Sequence, residues 1–141
     1  MDYIYQDKYV YFKKEGNGSP IILLHGWGVD SSCFDDLMDS LKEKYQVFAI
    51  DLPGFGKSVE PSDYYVLEDY VGLVEQFVND KKLANPIILG HSFGGRIAIR
   101  YASRHQVSKL ILVDSAGMKP KNYVKVKLKI MISVSYTHLR A

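Results

Sequence analysis

Four short apolar runs constrain this chain more than any other feature: Ile21-Ile22-Leu23-Leu24, Val47-Phe48-Ala49-Ile50, Ile87-Ile88-Leu89 and Leu110-Ile111-Leu112-Val113. Each is rich in β-branched residues, and none alternates with polar ones. A strand with one wet face alternates, so unbroken runs predict strands buried on both faces, as in a parallel sheet covered by helices. Helical spacing fills the gaps between them. Ser31 or Ser32 can cap a helix that presents Phe34, Leu37, Met38 and Leu41. Ser62-Asp63 can start a second, carrying Val66, Leu67, Tyr70, Val71, Val74, Phe77 and Val78 at spacings of three and four. A third is predicted from about Phe93 to Arg104, burying Ile97, Ala98, Tyr101 and Ala102. Ahead of the first run, Tyr3 to Tyr5 and Tyr9 to Lys14 read as an edge hairpin, closed off by Gly16-Asn17-Gly18. Two leading strands followed by β-α-β-α-β-α-β predict the α/β class, with a mostly parallel, doubly wound sheet.

Composition narrows the partners. Hydrophobic residues make up 47% of the 141 and charged residues 24%, which fits a globular protein and excludes wholesale disorder. A net charge of +2 gives no reason to expect nucleic acid or a membrane surface. The single cysteine, Cys33, excludes an internal disulfide framework and a multi-cysteine metal site, and reads as a small apolar filler. No stretch approaches the roughly 18 apolar residues of a membrane span. The N-terminus lacks the basic and apolar regions of a signal peptide, so the cytoplasm is the expected compartment.

Three motifs carry the chemistry. Gly90-His91-Ser92-Phe93-Gly94 is a G-x-S-x-G pentapeptide that follows a buried strand and opens a helix. A serine on such a sharp turn is strained, and neighbours without Cβ let the turn close with the hydroxyl held clear of the sheet. Ser92 is therefore the candidate nucleophile. His25-Gly26-Trp27-Gly28 directly follows the first buried strand. There the Trp27 N–H can face a developing oxyanion together with the N–H of Phe93, while the Trp27 side chain walls a pocket. His25 reads as a residue that orders this loop. Asp51-Leu52-Pro53-Gly54-Phe55-Gly56-Lys57-Ser58 ends like a phosphate-binding loop, but Asp51 stands where that motif needs glycine, and Pro61 argues against a helix starting at Ser58.

Together, H-G-W-G, D-x-P-G-x-G-x-S and G-H-S-F-G-G resemble the α/β-hydrolase superfamily, in particular its cofactor-free esterases, lipases and C–C hydrolases. The resemblance covers about residues 1 to 117. His25, Gly26, Gly28, Gly90, His91, Gly94 and Gly95 support these motifs. The resemblance implies a serine hydrolase of small carboxylic esters or related acyl compounds, with no metal or organic cofactor. Cleavage of a C–C bond beside a ketone and a non-catalytic ligand-binding role are the alternatives. Serine at position 92 disfavours haloalkane dehalogenases and epoxide hydrolases, whose relatives place aspartate there.

That superfamily orders its triad as nucleophile, acid, histidine. Asp114 ends a predicted strand and is the candidate acid. His25 precedes the nucleophile, His91 adjoins it on the turn, and His105 lies about 15 Å along the following helix. His138 alone fits the order. Its surroundings, Val134 to Ala141, are what GTC TCT TAT ACA CAT CTC CGA GCC would encode, a string that resembles a transposase-end sequencing adapter. The expected organisation is thus a hydrolase core over 1-117, the start of a lid over 118-133 and a non-native tail over 134-141. The core would be truncated before the lid and last strands, leaving an open apolar edge after Val113 and a chain inactive alone. Between Val124 and Ile130 apolar residues alternate with lysines, a period that favours a strand or an unsettled segment.

Overall fold

In the computed structural model, which describes residues 1–114 and the backbone of 130–133, the four apolar runs become neighbouring strands of one sheet. The strands are β1 (Asp2–Tyr5), β2 (Lys8–Glu15), β3 (Ser19–Leu24), β4 (Tyr45–Ile50), β5 (Ile87–His91), β6 (Lys109–Val113) and β7 (Ile130–Ser133). Their order is β1-β2-β4-β3-β5-β6-β7. The four apolar strands, β4-β3-β5-β6, are parallel, while β1, β2 and β7 join antiparallel. The leading hairpin turns through Gln6 and Asp7, both at positive φ (51° and 62°), a two-residue turn whose twist matches its strands.

Helices cover both faces. A 3₁₀ turn (Ser31–Phe34) runs into α1 (Asp35–Leu41), followed by α2 (Leu67–Lys81) and α3 (Phe93–Ala102). Strand β3 divides its side chains between two cores. Ile22 and Leu24 join Phe48, Ile50, Phe77 and Ile97 beneath α2 and α3, whereas Ile21 and Leu23 join Phe34, Met38, Val47 and Ala49 beneath α1. Burying each such side chain contributes roughly 1.5–3 kcal/mol, so the sheet is held from both sides.

Some expectations change. Asp30, rather than Ser31 or Ser32, caps the first helical turn, its Oδ1 accepting the Ser32 N–H at 2.8 Å. Helix α2 starts at Leu67 and not at Ser62-Asp63, because the Asp69 carboxylate accepts the Val66 N–H at 2.8 Å and closes the first turn there. Helix α3 ends two residues early, at Ala102. The sheet does not stop at Val113: β7 pairs antiparallel with β6, Val113 opposite Ile130, and occupies the edge that had been expected to stay open. An unpaired strand edge is a row of free N–H and C=O groups, and a following segment that can extend satisfies it. Cys33 is exposed and fills no core gap, although desolvation of its sulfur pushes the thiol up to about 11.

The topology also sets where a site can form. From β3 the chain leaves to α1 and then β4; from the adjacent β5 it leaves to α3, on the opposite face, and then β6. Two neighbouring parallel strands whose connections part this way open a crevice at their carboxyl ends.

Candidate active site at the carboxyl ends of β3 and β5

Ser92 occupies that crevice, between the last residue of β5 and the first of α3. Its backbone is strained, at φ 54° and ψ −119°, a region that L-residues rarely adopt. Surrounding contacts hold it there. The Ser92 N–H donates to the Val113 carbonyl at 3.1 Å, and the Ser92 carbonyl accepts the Gly95 N–H at 2.8 Å. Tight packing explains the glycines on either side. A Cβ on Gly90 would stand 2.3 Å from the Gly94 carbonyl oxygen, and one on Gly94 would stand 2.1 Å from that of Leu24. Helix and sheet therefore touch backbone to backbone at this turn.

The loop after β3 lies against the serine: a Cβ on Gly26 would be 2.9 Å from Ser92 Cβ and 3.3 Å from His91 Nδ1. Trp27 follows, with its indole largely exposed and set edge-on to Phe93 (5.3 Å between centroids) and Phe55 (4.9 Å). Gly28 takes φ 82°. No described residue accepts a hydrogen bond from the Trp27 N–H. The Phe93 N–H, in the first turn of α3, has no partner within its own helix. The sequence-selected groups Ser92, Trp27 and Phe93 are thus drawn together from two strand ends.

His25 is fully buried behind this loop. Its Nδ1 lies 2.7 Å from the Gly26 carbonyl, and its Nε2 accepts the Leu52 N–H at 2.9 Å. The second bond needs a lone pair on Nε2, which fixes the neutral tautomer with the proton on Nδ1. Desolvation, its main cause, holds the pKa below the usual histidine value. The ring therefore ties the loop after β3 to the loop after β4.

The D-x-P-G-x-G-x-S segment performs similar work with oxygens. The buried Asp51 carboxylate accepts the N–H groups of Ser31 and Lys57, each at 2.8 Å. Ser58 Oγ donates to the Asp51 carbonyl and accepts the Tyr11 N–H at 2.9 Å. These side chains are spent on loop backbone, and no helix begins at Ser58, so the arrangement is a staple rather than a phosphate cradle.

The other titratable candidates divide. Asp114, immediately after β6, takes φ 43° and leaves Oδ1 buried without a hydrogen-bond partner among the described residues. His91 Nδ1 is likewise buried and unpartnered. His105 lies past the far end of α3, bonded to Glu75 at 2.7 Å and stacked on Tyr101. His138 lies outside the described residues. Sequence reasoning missed the aromatic residues that continue the wall from Trp27: Tyr70 sits edge-on to Phe93 at 5.3 Å, and Tyr65 edge-on to Tyr70 at 5.2 Å. Their only sequence signal is an excess of tyrosine, 11 in all, which does not say where the rings converge.

Comparison with known proteins agrees with the fold. The family described as alpha/beta hydrolase fold matches residues 19–131. AB hydrolase superfamily protein YisY of Bacillus subtilis is 39% identical over 106 residues, covering 72% of this chain and 40% of that protein. A 1-acylglycerol-3-phosphate O-acyltransferase of Arabidopsis thaliana is 35% identical over 112 residues, covering 71% of this chain and 26% of that one. Among solved structures, an esterase from Exiguobacterium antarcticum superposes with a TM-score of 0.72 at 33% identity, covering 77% of this chain and 42% of the esterase. The chain thus spans less than half the length of each of these relatives.

Proposed function

Because the chain belongs to the alpha/beta hydrolase family, we propose that Ser92 is the nucleophile for hydrolysis of small carboxylic esters or related acyl compounds. The observation that carries this reading is the serine at φ 54° on the turn between β5 and α3, beside a loop whose Trp27 N–H has no acceptor among the described residues. In the proposed reaction Ser92 Oγ adds to the carbonyl carbon, and the resulting oxyanion accepts the N–H groups of Trp27 and Phe93. A base takes the serine proton and passes it to the departing alkoxide, which leaves as the alcohol. Water then attacks the acyl-serine, and the acid is released.

Asp114 is assigned as the carboxylate that orients the base. A buried carboxylate oxygen without a partner is costly, and an imidazole N–H would satisfy this one, which has none among the described residues. The base itself is placed outside the described residues. Both nitrogens of His25 are occupied, and His105 pairs with Glu75 at a distance from Ser92. His91 belongs to the same tight turn as the nucleophile, where successive side chains diverge.

A fluorophosphonate probe tests the nucleophile. Labelling of the full-length parent protein should map to Ser92 and vanish in Ser92→Ala; a label that persists in that variant refutes the assignment. The present chain should hydrolyse activated aryl esters at trace rates, and His138→Ala should leave those rates unchanged. Turnover typical of intact esterases, lost on that substitution, would make His138 the base.

A further inference from the structure

Beyond Trp27 a cavity of about 350 Å³ opens between the loop after β4 and the start of α2. Five aromatic side chains line it: Trp27, Phe55, Tyr64, Tyr65 and Tyr70. Trp27 and Tyr64 are 64% and 90% exposed, so ring surface is presented to an incoming molecule rather than spent on the core. The only charged residues in the described lining are Glu60 and Asp63, both exposed and neither in an ion pair among the described residues. The adjoining groove adds Lys8, but against Asp63 and Asp69. Ring faces carry negative quadrupole charge, and carboxylates at the mouth add to it, so the field favours a cation and repels an anion. A quaternary ammonium suits such a wall best, since it is weakly hydrated and has no N–H to leave unsatisfied.

From this arrangement we infer that the cavity binds a quaternary or tertiary ammonium head, making cationic esters the preferred substrate class. The inference deepens the Ser92 reading and rests on it for turnover, but not for binding. Trp27 links the two regions, because its ring walls the cavity while its neighbour Gly26 lies against Ser92.

Trp27 is the sole tryptophan of the chain, so its fluorescence reports on the cavity directly. In the Ser92→Ala chain, which prevents turnover, acetylcholine should perturb that fluorescence with an affinity at least about fivefold higher than 3,3-dimethylbutyl acetate, its uncharged isostere. The double variant Glu60→Gln/Asp63→Asn changes exposed residues only, and should weaken acetylcholine binding while leaving the neutral ester unaffected. Equal affinity for the two esters overturns the inference, as does binding of neither, or a preference untouched by the double variant. Fluorophosphonate labelling, measured in parallel on the full-length parent protein, separates the two readings. A cation preference without labelling retains the cavity and discards the nucleophile; labelling without a preference does the reverse.

Discussion

At His25 a buried imidazole donates from Nδ1 to the Gly26 carbonyl and accepts the Leu52 N–H at Nε2, so a second proton would set two donors against each other. The consequence is a pH dependence of known sign. The folded pKa lies below the 6.5 of the unfolded chain, so the unfolded state binds the extra proton first. Stability from this group is complete above pH 6.5 and is lost as the pH falls through the folded value. Urea midpoints measured on acidification should decline over that window. His25→Gln should be about 1–3 kcal/mol less stable at neutral pH and should lack that part of the slope; an unchanged slope in the variant would assign the effect to other groups. Gly94 makes a steric counterpart. Gly94→Ala forces a methyl to 2.1 Å from the Leu24 carbonyl oxygen, and its cost should reach about 3 kcal/mol in chemical denaturation. A loss near zero would mean that α3 can slide off β3 freely.

Among the elements, α2 contributes most visibly to the larger core. Phe77 is fully buried and meets Tyr3, Phe12 and Phe48 edge-on at 5.1–5.5 Å. Phe77→Ala should cost about 3–5 kcal/mol, and Asp69→Ala, which removes the carboxylate closing the first turn, about 1 kcal/mol. Thermal unfolding of the two variants tests that ranking, and reversal would relocate the helix's main anchor. The spacing of Tyr70, Val71, Val74 and Phe77 made this helix legible in the sequence, because a 3.6-residue period survives any tertiary context. Its start was not legible. Ser62-Asp63 has the composition of a cap, but the carboxylate that closes the first turn is that of Asp69, bonded to the Val66 N–H, which only the geometry reveals.

At the scale of the whole molecule, the described residues cover the two faces of the sheet unequally. Two helices lie on one, while the other has α1 and an apolar groove lined by Ile21, Leu37, Leu41, Tyr45, Leu89 and Ile111. A groove lined by buried and half-buried apolar side chains offers a site for hydrophobic dyes. Anilinonaphthalene sulfonate should therefore fluoresce with the chain in native buffer, and Leu41→Lys/Ile111→Lys should cut the signal by about half or more. An unaltered signal would place the dye elsewhere.

The sequence by itself determined the α/β class, the parallel core and the position of Ser92. Unbroken β-branched runs and a glycine-flanked serine after one of them depend on local pattern and backbone sterics alone. Tertiary structure decided what lies around that serine. His25 is locked by an N–H from 27 residues away, and Asp51 by one from 20 residues away. The cavity wall joins Trp27 to Tyr65 and Tyr70 across the sheet order, and β7 pairs with β6 through backbone groups that carry no residue signature. Contacts of this range arise only when the sheet order sets β4, β3 and β5 side by side and seats β7 beside β6, and no periodicity along the chain encodes them.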